Sequence, residues 1–305
     1  MEHLCLVVPT KDRREDLKRM LASLATQTQL PDHVIVVDGS EHPIADVLAE
    51  FPSLPFEYVR VFPPSLARQR NAGMARLLDN ATLAGYLDDD VVLEPDAVRN
   101  MLRFWKSAGP EVGGAGFHIV NNPVPGLLAF KRFFGIDGDV PGKVLSSGFP
   151  STICGVTRNL DTDWLYGGAT VWRRNVIETF PYDEWFVGTG FMEDVDYSFD
   201  VRGRYRLCVV ADARLAHYSR PVREDRQRLL GIWQVVNRMY FVRKHARRGL
   251  STVAATWASL GLILLNFGIG ILKTDKRYLR RAIGNAAGLA TVLSGRTHQL
   301  GGHLK

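Results

Sequence analysis

The stretch LAGYLDDD at residues 83–90 joins a short apolar run to three consecutive aspartates. An apolar run of five residues is typical of a strand that is buried on both faces of a parallel sheet. In an open α/β sheet, ligands bind beyond the carboxyl ends of the strands. The stretch therefore predicts a buried strand that ends in an acidic ligand-binding loop.

The chain on both sides of this stretch alternates short apolar runs with helical patterns. Leu17, Met20, Leu21 and Leu24, for example, recur at helical spacing after the first apolar run. Such alternation predicts an α/β fold with a mostly parallel, Rossmann-like sheet that is flanked by helices. The predicted strands are residues 4–9, 34–37, 56–61, 83–87, 167–172 and 206–210, and the predicted helices include 66–78 and 194–202.

The composition excludes several classes of protein. The chain has 305 residues, of which 46% are hydrophobic and 23% charged, so it is not disordered, collagen-like or a disulfide scaffold. Its three cysteines have no paired or metal-like spacing, which favours a reduced compartment. The first fourteen residues hold an apolar run of only five, so no signal peptide is predicted.

The three aspartates predict a metal site. Adjacent carboxylates repel one another strongly unless a cation lies among them. Because alternate residues of an extended segment share a face, Asp88 and Asp90 can converge while Asp89 points away. Mg²⁺ binds few carboxylates together with phosphate oxygens, so the spacing suits a metal that carries a diphosphate. The alternative is a solvated acidic loop.

Four blocks of sequence carry a family resemblance: residues 8–13 (VPTKDR), 34–40 (VIVVDGS), 70–73 (RNAG) and 86–91 (YLDDDV). In order and spacing they resemble family 2 glycosyltransferases with the GT-A fold, over about residues 4–218. The resemblance implies a transferase that uses a nucleotide-diphospho-sugar donor and Mg²⁺ or Mn²⁺ at a DxD motif.

The resemblance also implies a set of site residues. The metal ligands would be Asp90 and His217, although a structural histidine is an equal alternative. A turn-forming Asp38 and an Arg70 on a solvated helix face likewise stay open as alternatives. The residues implied to bind the donor are Pro9, Thr10, Arg13, Asp38, Arg70, Asn71, Asp88, Asp89 and Gly168.

A second group of residues predicts the general base. In the family, a Gly-Gly-Ala strand like residues 167–169 approaches the sugar closely, and an Asp in a later Glu-Asp pair is the base. Inverting transfer needs a carboxylate that takes the proton of the acceptor hydroxyl. Asp194 matches that base and Glu193 is the second candidate; the alternative is a pair of acids that complement a helix dipole. The processive family motif is absent, which favours transfer of one or a few sugars.

The C-terminal part differs from the rest in charge and hydropathy. Residues 229–305 hold 12 basic side chains and one acid, whereas the remainder has a net charge of −5. Residues 249–272 carry no charge and have basic clusters on both sides, so a single crossing would leave one cluster on the wrong side of a membrane. A helix in the membrane plane keeps both clusters at cytoplasmic headgroups. The alternative is a soluble helical subdomain or dimer interface.

The sequence thus predicts a catalytic domain at 1–224 and a helical, membrane-associated region at 225–305. We expect a metal-dependent, inverting glycosyltransferase at the cytoplasmic face of the membrane, bound as a monotopic protein. Its acceptor would be a hydroxyl of a lipid-linked or cell-surface glycan in cell-envelope polysaccharide biosynthesis. Nucleic acid is not an expected partner, and homo-oligomerisation stays open. The alternatives are an inactive sugar-nucleotide-binding scaffold at the membrane, or a nucleotidyltransferase, which generally needs glycines after the first strand.

Overall fold

The computed structural model describes residues 2–188 and 190–295. Packing divides the chain into two units. The sheet unit comprises Met1–Pro123 and Ile153–Ser219, and the helical unit comprises Val124–Thr152 and Arg220–Lys305. The boundary predicted between 224 and 225 stays a prediction, and residues 296–305 of that predicted region lie outside the described residues.

In the described residues, the sheet unit contains a single sheet of nine strands with helices beside it. The strand order is β3-β2-β1-β4-β8-β6-β9-β5, and β7 pairs with β9. The strands are β1 (Leu4–Thr10), β2 (His33–Asp38), β3 (Phe56–Arg60), β4 (Leu83–Leu87), β5 (Val91–Leu93), β6 (Val112–Ile119), β7 (Leu160–Thr162), β8 (Ala169–Arg173) and β9 (Arg206–His217). The helices are α1 (Arg14–Ala25), α2 (Leu66–Met74), α3 (Ala97–Ser107), α5 (Arg174–Thr179) and α6 (Glu193–Val201). This confirms the predicted α/β architecture.

The first four strands form a parallel half of the sheet. Strand β1 pairs in parallel with both β2 and β4, and β2 pairs in parallel with β3. The register places Thr10 beside Asp38, so β1 and β2 end at the same edge. Strand β4 ends one residue before Asp88. The acidic stretch therefore follows a buried strand at the carboxyl edge of the sheet, as the sequence predicts.

The second half of the sheet is mixed: β6 and β9 pair in parallel, and the other neighbouring strands there are antiparallel. Strand β8 runs antiparallel to β4 and to β6, and β5 and β7 run antiparallel to β9. Parallel neighbours need a crossover connection that returns to the starting edge of the sheet. The segment between β6 and β8 instead enters β8 at the edge where β6 ends. Strands β5, β6 and β7 were absent from the sequence prediction.

The core of the sheet unit lies between the sheet and its helices. Leu17, Met20, Leu21 and Leu24 of α1 are completely buried, which confirms the helical spacing read from the sequence. Helix α3 buries Trp105 in the same way. Each such side chain stabilises the fold by about 1.5–3 kcal/mol. The result is a rigid base for the loops at the carboxyl edge.

The helical unit contains α4 (Leu128–Phe133), α7 (Gln227–Lys244), α8 (Thr252–Leu272) and α9 (Lys276–Leu293). Helices α7 and α9 approach closely at glycines. A Cβ on Gly284 would lie 2.0 Å from the carbonyl oxygen of Arg228, and one on Gly231 would lie 2.3 Å from that of Arg281. Only glycine permits this distance between backbones. Helix α8 is also long and apolar enough to cross a bilayer, with 39% of its most apolar window buried in protein.

Candidate active site

The carboxyl edge of β1 and β4 brings Thr10, Arg13 and two of the aspartates together. The hydroxyl of Thr10 donates to Oδ2 of Asp89 over 2.7 Å. Nη1 of Arg13 donates to Oδ1 of Asp89 over 3.0 Å and to Oδ2 of Asp90 over 2.8 Å. Asp89 therefore faces Thr10 and Arg13. Burial raises the pKa of Asp89 to about 7, against the opposing effects of Arg13 and Thr10.

Asp88, Asp90 and His217 form a potential cation site. Each offers one ligand atom, and these atoms lie within 4.8 Å of one another. Nε2 of His217 lies 3.0 Å from Oδ1 of Asp90. Two carboxylates and an imidazole suit Mn²⁺ and also Mg²⁺. The donor set, in which Oδ1 of Asp90 is held by the ion pair with His217, therefore fits a divalent cation.

The two side chains at the centre of this site shift each other's pKa. Burial alone would raise the pKa of Asp90, but His217 and Arg13 together lower it below its ordinary value. Burial alone would lower the pKa of His217, but the carboxylate of Asp90 raises it. A bound cation would replace the proton in this pairing, because metal ligation requires neutral imidazole and ionised carboxylate.

Two consecutive glycines make the site possible. A Cβ on Gly168 would lie 1.9 Å from Cγ of Asp88, and one on Gly167 would lie 2.8 Å from Cβ of Asp194. The backbone N–H of Asp88 also donates to the carbonyl of Gly168 over 2.9 Å. A side chain at position 168 would occupy the space of the Asp88 carboxylate, and one at position 167 would crowd Arg70 and Cβ of Asp194. Asp88 and Asp194 thus lie against two consecutive residues, Gly168 and Gly167, directly before β8.

Arg70 joins the two acidic segments. Its Nη1 donates to Oε1 of Glu193 over 2.8 Å, and its Nη2 donates to Oδ1 of Asp88 over 3.2 Å. The guanidinium is buried and lies over the rings of Tyr182 and Tyr86, at 5.0 and 5.7 Å from their centroids. Burial alone would lower the pKa of Arg70, but Tyr182, Asp88 and Glu193 together raise it. Arg70 is therefore a permanent buried cation, so the alternative of a solvated helix face is wrong and donor binding by Arg70 stays a prediction.

Glu193 and Asp194 begin α6 but have different environments. Glu193 is buried and holds the guanidinium of Arg70, while Asp194 is only partly buried. Oδ2 of Asp194 accepts from the N–H of Gly167 over 3.3 Å, and Oδ1 accepts from the N–H of Val195 over 2.8 Å. Burial raises the pKa of both acids above their ordinary values. Asp194 is thus the accessible carboxylate of the pair.

The helix start that presents these acids is backbone-strained. Met192, which precedes Glu193, has a φ of 81°, in the left-handed region that side chains rarely adopt. Such outliers persist only where the surroundings over-determine them, and they cluster at active sites.

Three residues predicted to bind the donor lie at this edge, where they are buried or hydrogen-bonded within the protein. Asp38 is completely buried; it accepts from the N–H groups of Ser40 and Ile44 and from the hydroxyl of Tyr58. Burial, together with the hydrogen bond to Asp38, raises the pKa of Tyr58 to about 12. Asn71 exchanges hydrogen bonds with the backbone of Tyr182. Pro9 is buried within β1. Contact of all three with a donor stays a prediction.

Two residues of the site were missed by sequence reasoning. Nε2 of Gln69 donates to the carbonyls of Thr10 and Val37, and so ties the ends of β1 and β2 together. Tyr182 stacks on Tyr197 at 4.3 Å and forms one wall around Arg70. Neither residue belongs to a periodic or motif pattern. The one feature of the sequence that could have indicated Gln69 is its position directly before the block at residues 70–73.

Residues 5–155 match the sequence model of a family described as glycosyl transferase family 2. This stretch contains the strand-end aspartates, Arg13 and Arg70 of the site. The match identifies residues 5–155 as a family 2 glycosyltransferase domain, as the resemblance implied. Asp194 and His217 lie beyond the matched residues of the family 2 domain, so their assignment rests on geometry.

Solved structures of low sequence identity share the fold of this glycosyltransferase. The mannosyltransferase PcManGT from Pyrobaculum calidifontis, in complex with GDP-Man and Mn²⁺, is 16% identical with a TM-score of 0.60; the alignment covers 98% of this chain and 88% of that one. Residues 1–349 of S. aureus TarS, in complex with UDP, are 12% identical with a TM-score of 0.50, over 96% and 92% of the two chains.

The chain spans about half the length of the longer TarS chain that it matches. It covers 55% of the TarS chain in a further S. aureus structure, at 12% identity and a TM-score of 0.49. The search among curated protein sequences gives no match. Similarity at these identities establishes the GT-A-type fold alone.

Proposed function

We propose that this glycosyltransferase moves a sugar from a nucleotide-diphospho-sugar to a hydroxyl of a lipid-linked or cell-surface glycan, with inversion and without processive synthesis. The observation that carries the proposal is the position of Asp88 and Asp194 against consecutive glycines, 168 and 167. The cation site and an accessible carboxylate base therefore both lie beside the two glycines that precede β8. A reacting sugar needs both within reach.

The cation in this proposal is Mg²⁺ or Mn²⁺. Asp88, Asp90 and His217 would hold it, because their ligand atoms converge. Such an ion neutralises the negative charge that develops on a departing nucleoside diphosphate. The known complex of PcManGT with GDP-Man and Mn²⁺ supports this choice of ligand class.

Asp194 is the base in the proposed reaction. Its carboxylate takes the proton of the acceptor hydroxyl, whose oxygen attacks the anomeric carbon from the side opposite the leaving group. The bond from that carbon to the diphosphate oxygen breaks, and the configuration inverts. The N–H groups of Gly167 and Val195 orient the carboxylate. Because burial raises the pKa of Asp194, it is a stronger base than an exposed aspartate.

The remaining side chains hold this arrangement in place. Arg13 fixes Oδ2 of Asp90 and thereby leaves Oδ1 to face His217. Arg70 neutralises Glu193 and Asp88, so that the acidic segments can approach each other. The bound UDP in the TarS structure and GDP-Man in PcManGT support a nucleotide diphosphate as the group that the edge receives.

The proposed location is the cytoplasmic face of a membrane, where lipid-linked acceptors and nucleotide-sugars meet. Helix α8 supports it, since it is apolar along 21 residues and only partly buried. A role in cell-envelope polysaccharide biosynthesis follows from this location and from the proposed acceptor class.

The test is turnover of a panel of nucleotide-sugars by the full chain, with and without Mn²⁺ or Mg²⁺, monitored by release of nucleoside diphosphate and by thermal shift. We expect one donor class to raise the melting temperature and to be hydrolysed slowly only with metal. Release of pyrophosphate would indicate nucleotidyl transfer instead. Donor binding without turnover, with every acceptor extract tried, would indicate an inactive binding protein.

A further inference from the structure

Helix α8 has one face that packs inside the helical unit along its whole length. A Cβ on Gly261 would lie 2.3 Å from Cγ of Phe134, and one on Gly270 would lie 2.6 Å from Cδ2 of Leu279. Between these points, Nδ2 of Asn266 donates to Oδ1 of Asn285 on α9 over 2.8 Å, and both side chains are buried. This face is therefore occupied by protein from end to end.

The opposite face of α8 is an exposed apolar stripe. Its members follow one another at intervals of four, three, four, three and four residues, which keeps them on one side of a helix. Their exposed fractions range from 42% to 78%. The stripe consists of Val253, Trp257, Leu260, Leu264, Phe267 and Ile271. Monomeric soluble proteins rarely expose so continuous an apolar surface, so a partner is required.

The short helix α4 extends the stripe with a third aromatic side chain. The ring of Phe133 lies 5.5 Å from that of Trp257 and is 68% exposed. The indole N–H of Trp257 donates to the carbonyl of Phe133 over 3.0 Å. The indole thus has an apolar body at the surface and a satisfied polar group, a combination typical of aromatic residues at a membrane interface.

Charge indicates what covers the stripe. The helical unit contains 19 Lys and Arg against 5 Asp and Glu, a net charge of +14, whereas the sheet unit has a net charge of −8. Exposed basic residues flank the stripe: Arg247 lies before α8, and Lys273 and Lys276 lie after it. A second copy of the chain would bring +14 against +14. An anionic lipid surface is complementary to both the charge and the apolar stripe.

The same features define the orientation of α8. In a spanning helix the two basic ends would lie about 30 Å apart on opposite sides of the hydrocarbon core. With protein along one face and the stripe along the other, α8 instead presents its full length to one interface.

We propose that this stripe docks the helical unit onto an anionic bilayer, with α8 parallel to the membrane plane, its apolar side chains among the upper acyl chains and its basic ends at the headgroups. The inference rests on the proposed membrane attachment, and it is independent of the transfer chemistry.

The first test is sedimentation of the full chain with vesicles of 70% phosphatidylcholine and 30% phosphatidylglycerol, beside vesicles of phosphatidylcholine alone. We expect binding to the anionic vesicles to exceed binding to the neutral ones and to weaken with salt. The variant Leu264→Glu/Phe267→Glu removes two apolar side chains that insert into the bilayer. We therefore expect its affinity for the anionic vesicles to fall about a hundredfold.

The matched control is Leu30→Glu/Leu78→Glu, which adds the same charge at two exposed apolar residues of the sheet unit. We expect it to bind like the parent chain. Circular dichroism and melting temperature identify any variant that does not fold. Equal loss in both double variants, or no binding by the parent, would overturn the proposal.

The second test measures depth. Single cysteines at 253, 260 and 267, in a background with Cys154→Ser, carry nitroxide labels whose immersion is read by electron paramagnetic resonance, with Lys106→Cys on α3 as the aqueous control. In-plane docking predicts equal shallow immersion of the three stripe labels. A profile that is deepest at the centre of α8 would show a spanning helix and overturn the proposal.

A third measurement separates this surface from the proposed reaction. Donor hydrolysis in detergent-free solution should be the same for the parent chain and Leu264→Glu/Phe267→Glu, since the proposed active-site residues all belong to the sheet unit. Vesicle binding without any donor turnover would leave the surface supported and the proposed function refuted. Dimerisation through the stripe, with monomers in Leu264→Glu/Phe267→Glu and no vesicle binding, would assign the stripe to a second copy.

Discussion

Arg70 donates to Glu193 over 2.8 Å, and neither side chain reaches solvent. The contact joins α2 to the start of α6, at positions 123 residues apart in the chain. It favours Asp194 over Glu193 as the proposed base, because it occupies the carboxylate of Glu193 and leaves that of Asp194 to an acceptor. It also makes the candidate site part of the buried structure of the sheet unit.

Removal of this buried cation should destabilise the protein. In Arg70→Met, the carboxylates of Glu193 and Asp88 lose their partner, and breaking a buried ion pair costs about 3–5 kcal/mol. Urea unfolding measures this change in the free energy of unfolding. The control is Arg76→Met, close in sequence to Arg70; Arg76 is exposed and pairs with Glu57, so we expect a change below about 1 kcal/mol. Equal effects of the two substitutions would contradict the assigned role of Arg70.

Asp194→Asn should abolish transfer without unfolding the protein. Loss of a positioned base lowers kcat by about 10²–10⁴-fold, while the amide keeps the size of the side chain. Glu193→Gln is the comparison, since it retains a neutral acceptor for Arg70 and should keep more activity. Initial rates and melting temperatures measure both. The opposite ranking, with Glu193→Gln inactive and Asp194→Asn active at full stability, would exchange the two roles.

The pH dependence of transfer should report the raised pKa of Asp194. A base acts when deprotonated, so kcat falls as the pH falls through its pKa. Because burial raises this pKa, the acidic limb of the profile should lie above the ordinary 3.8 of an aspartate. Asp89, with a pKa raised to about 7, is a second candidate for such a limb. A limb that persists in Asp89→Asn belongs to Asp194, and a limb below about 4 would contradict the assignment.

Divalent metal should bind through Asp90 and His217. Calorimetric titration of Mn²⁺ in the presence of a nucleoside diphosphate should show about tenfold or more weaker binding in Asp90→Asn and in His217→Gln, since even second-layer groups of metal sites contribute this much. Asp212→Asn, an exposed position of the same strand as His217, is the control. Unchanged affinity in His217→Gln would make this histidine a structural residue, the alternative that the sequence left open.

Gly168→Ala should disrupt the site through one methyl group. The new Cβ would lie 1.9 Å from Cγ of Asp88, so the carboxylate must move. We expect a loss of about 1–3 kcal/mol in stability from overpacking and about a hundredfold loss of kcat from misplacement. Gly126→Ala is the control, because no atom lies within 4 Å of its Cβ position. Full activity of Gly168→Ala would show that the glycine is dispensable.

Much of the site was predictable because its residues lie at strand ends. Buried strands of four to six mostly apolar residues and the polar residues that follow them are local features, so Asp38 and Asp88–Asp90 could be placed at this edge from spacing, while Thr10 came from the family resemblance. The predicted α1 and α6 were confirmed for the same reason. The strand directions in the mixed half of the sheet could not be predicted from the sequence. The direction of β8 depends on the edge of the sheet at which the long irregular segment after β6 ends.

The sequence by itself determined the α/β architecture, the acidic strand end and the basic, apolar character of the C-terminal region. Composition and short periodicities encode these features within a few residues. Only the tertiary structure decided that Arg70 is buried between Asp88 and Glu193, that Asp89 faces Arg13, and that Val124–Thr152 packs in the helical unit. Those contacts join segments far apart in the chain, and burial and hydrogen-bond geometry select them only once the whole chain has folded.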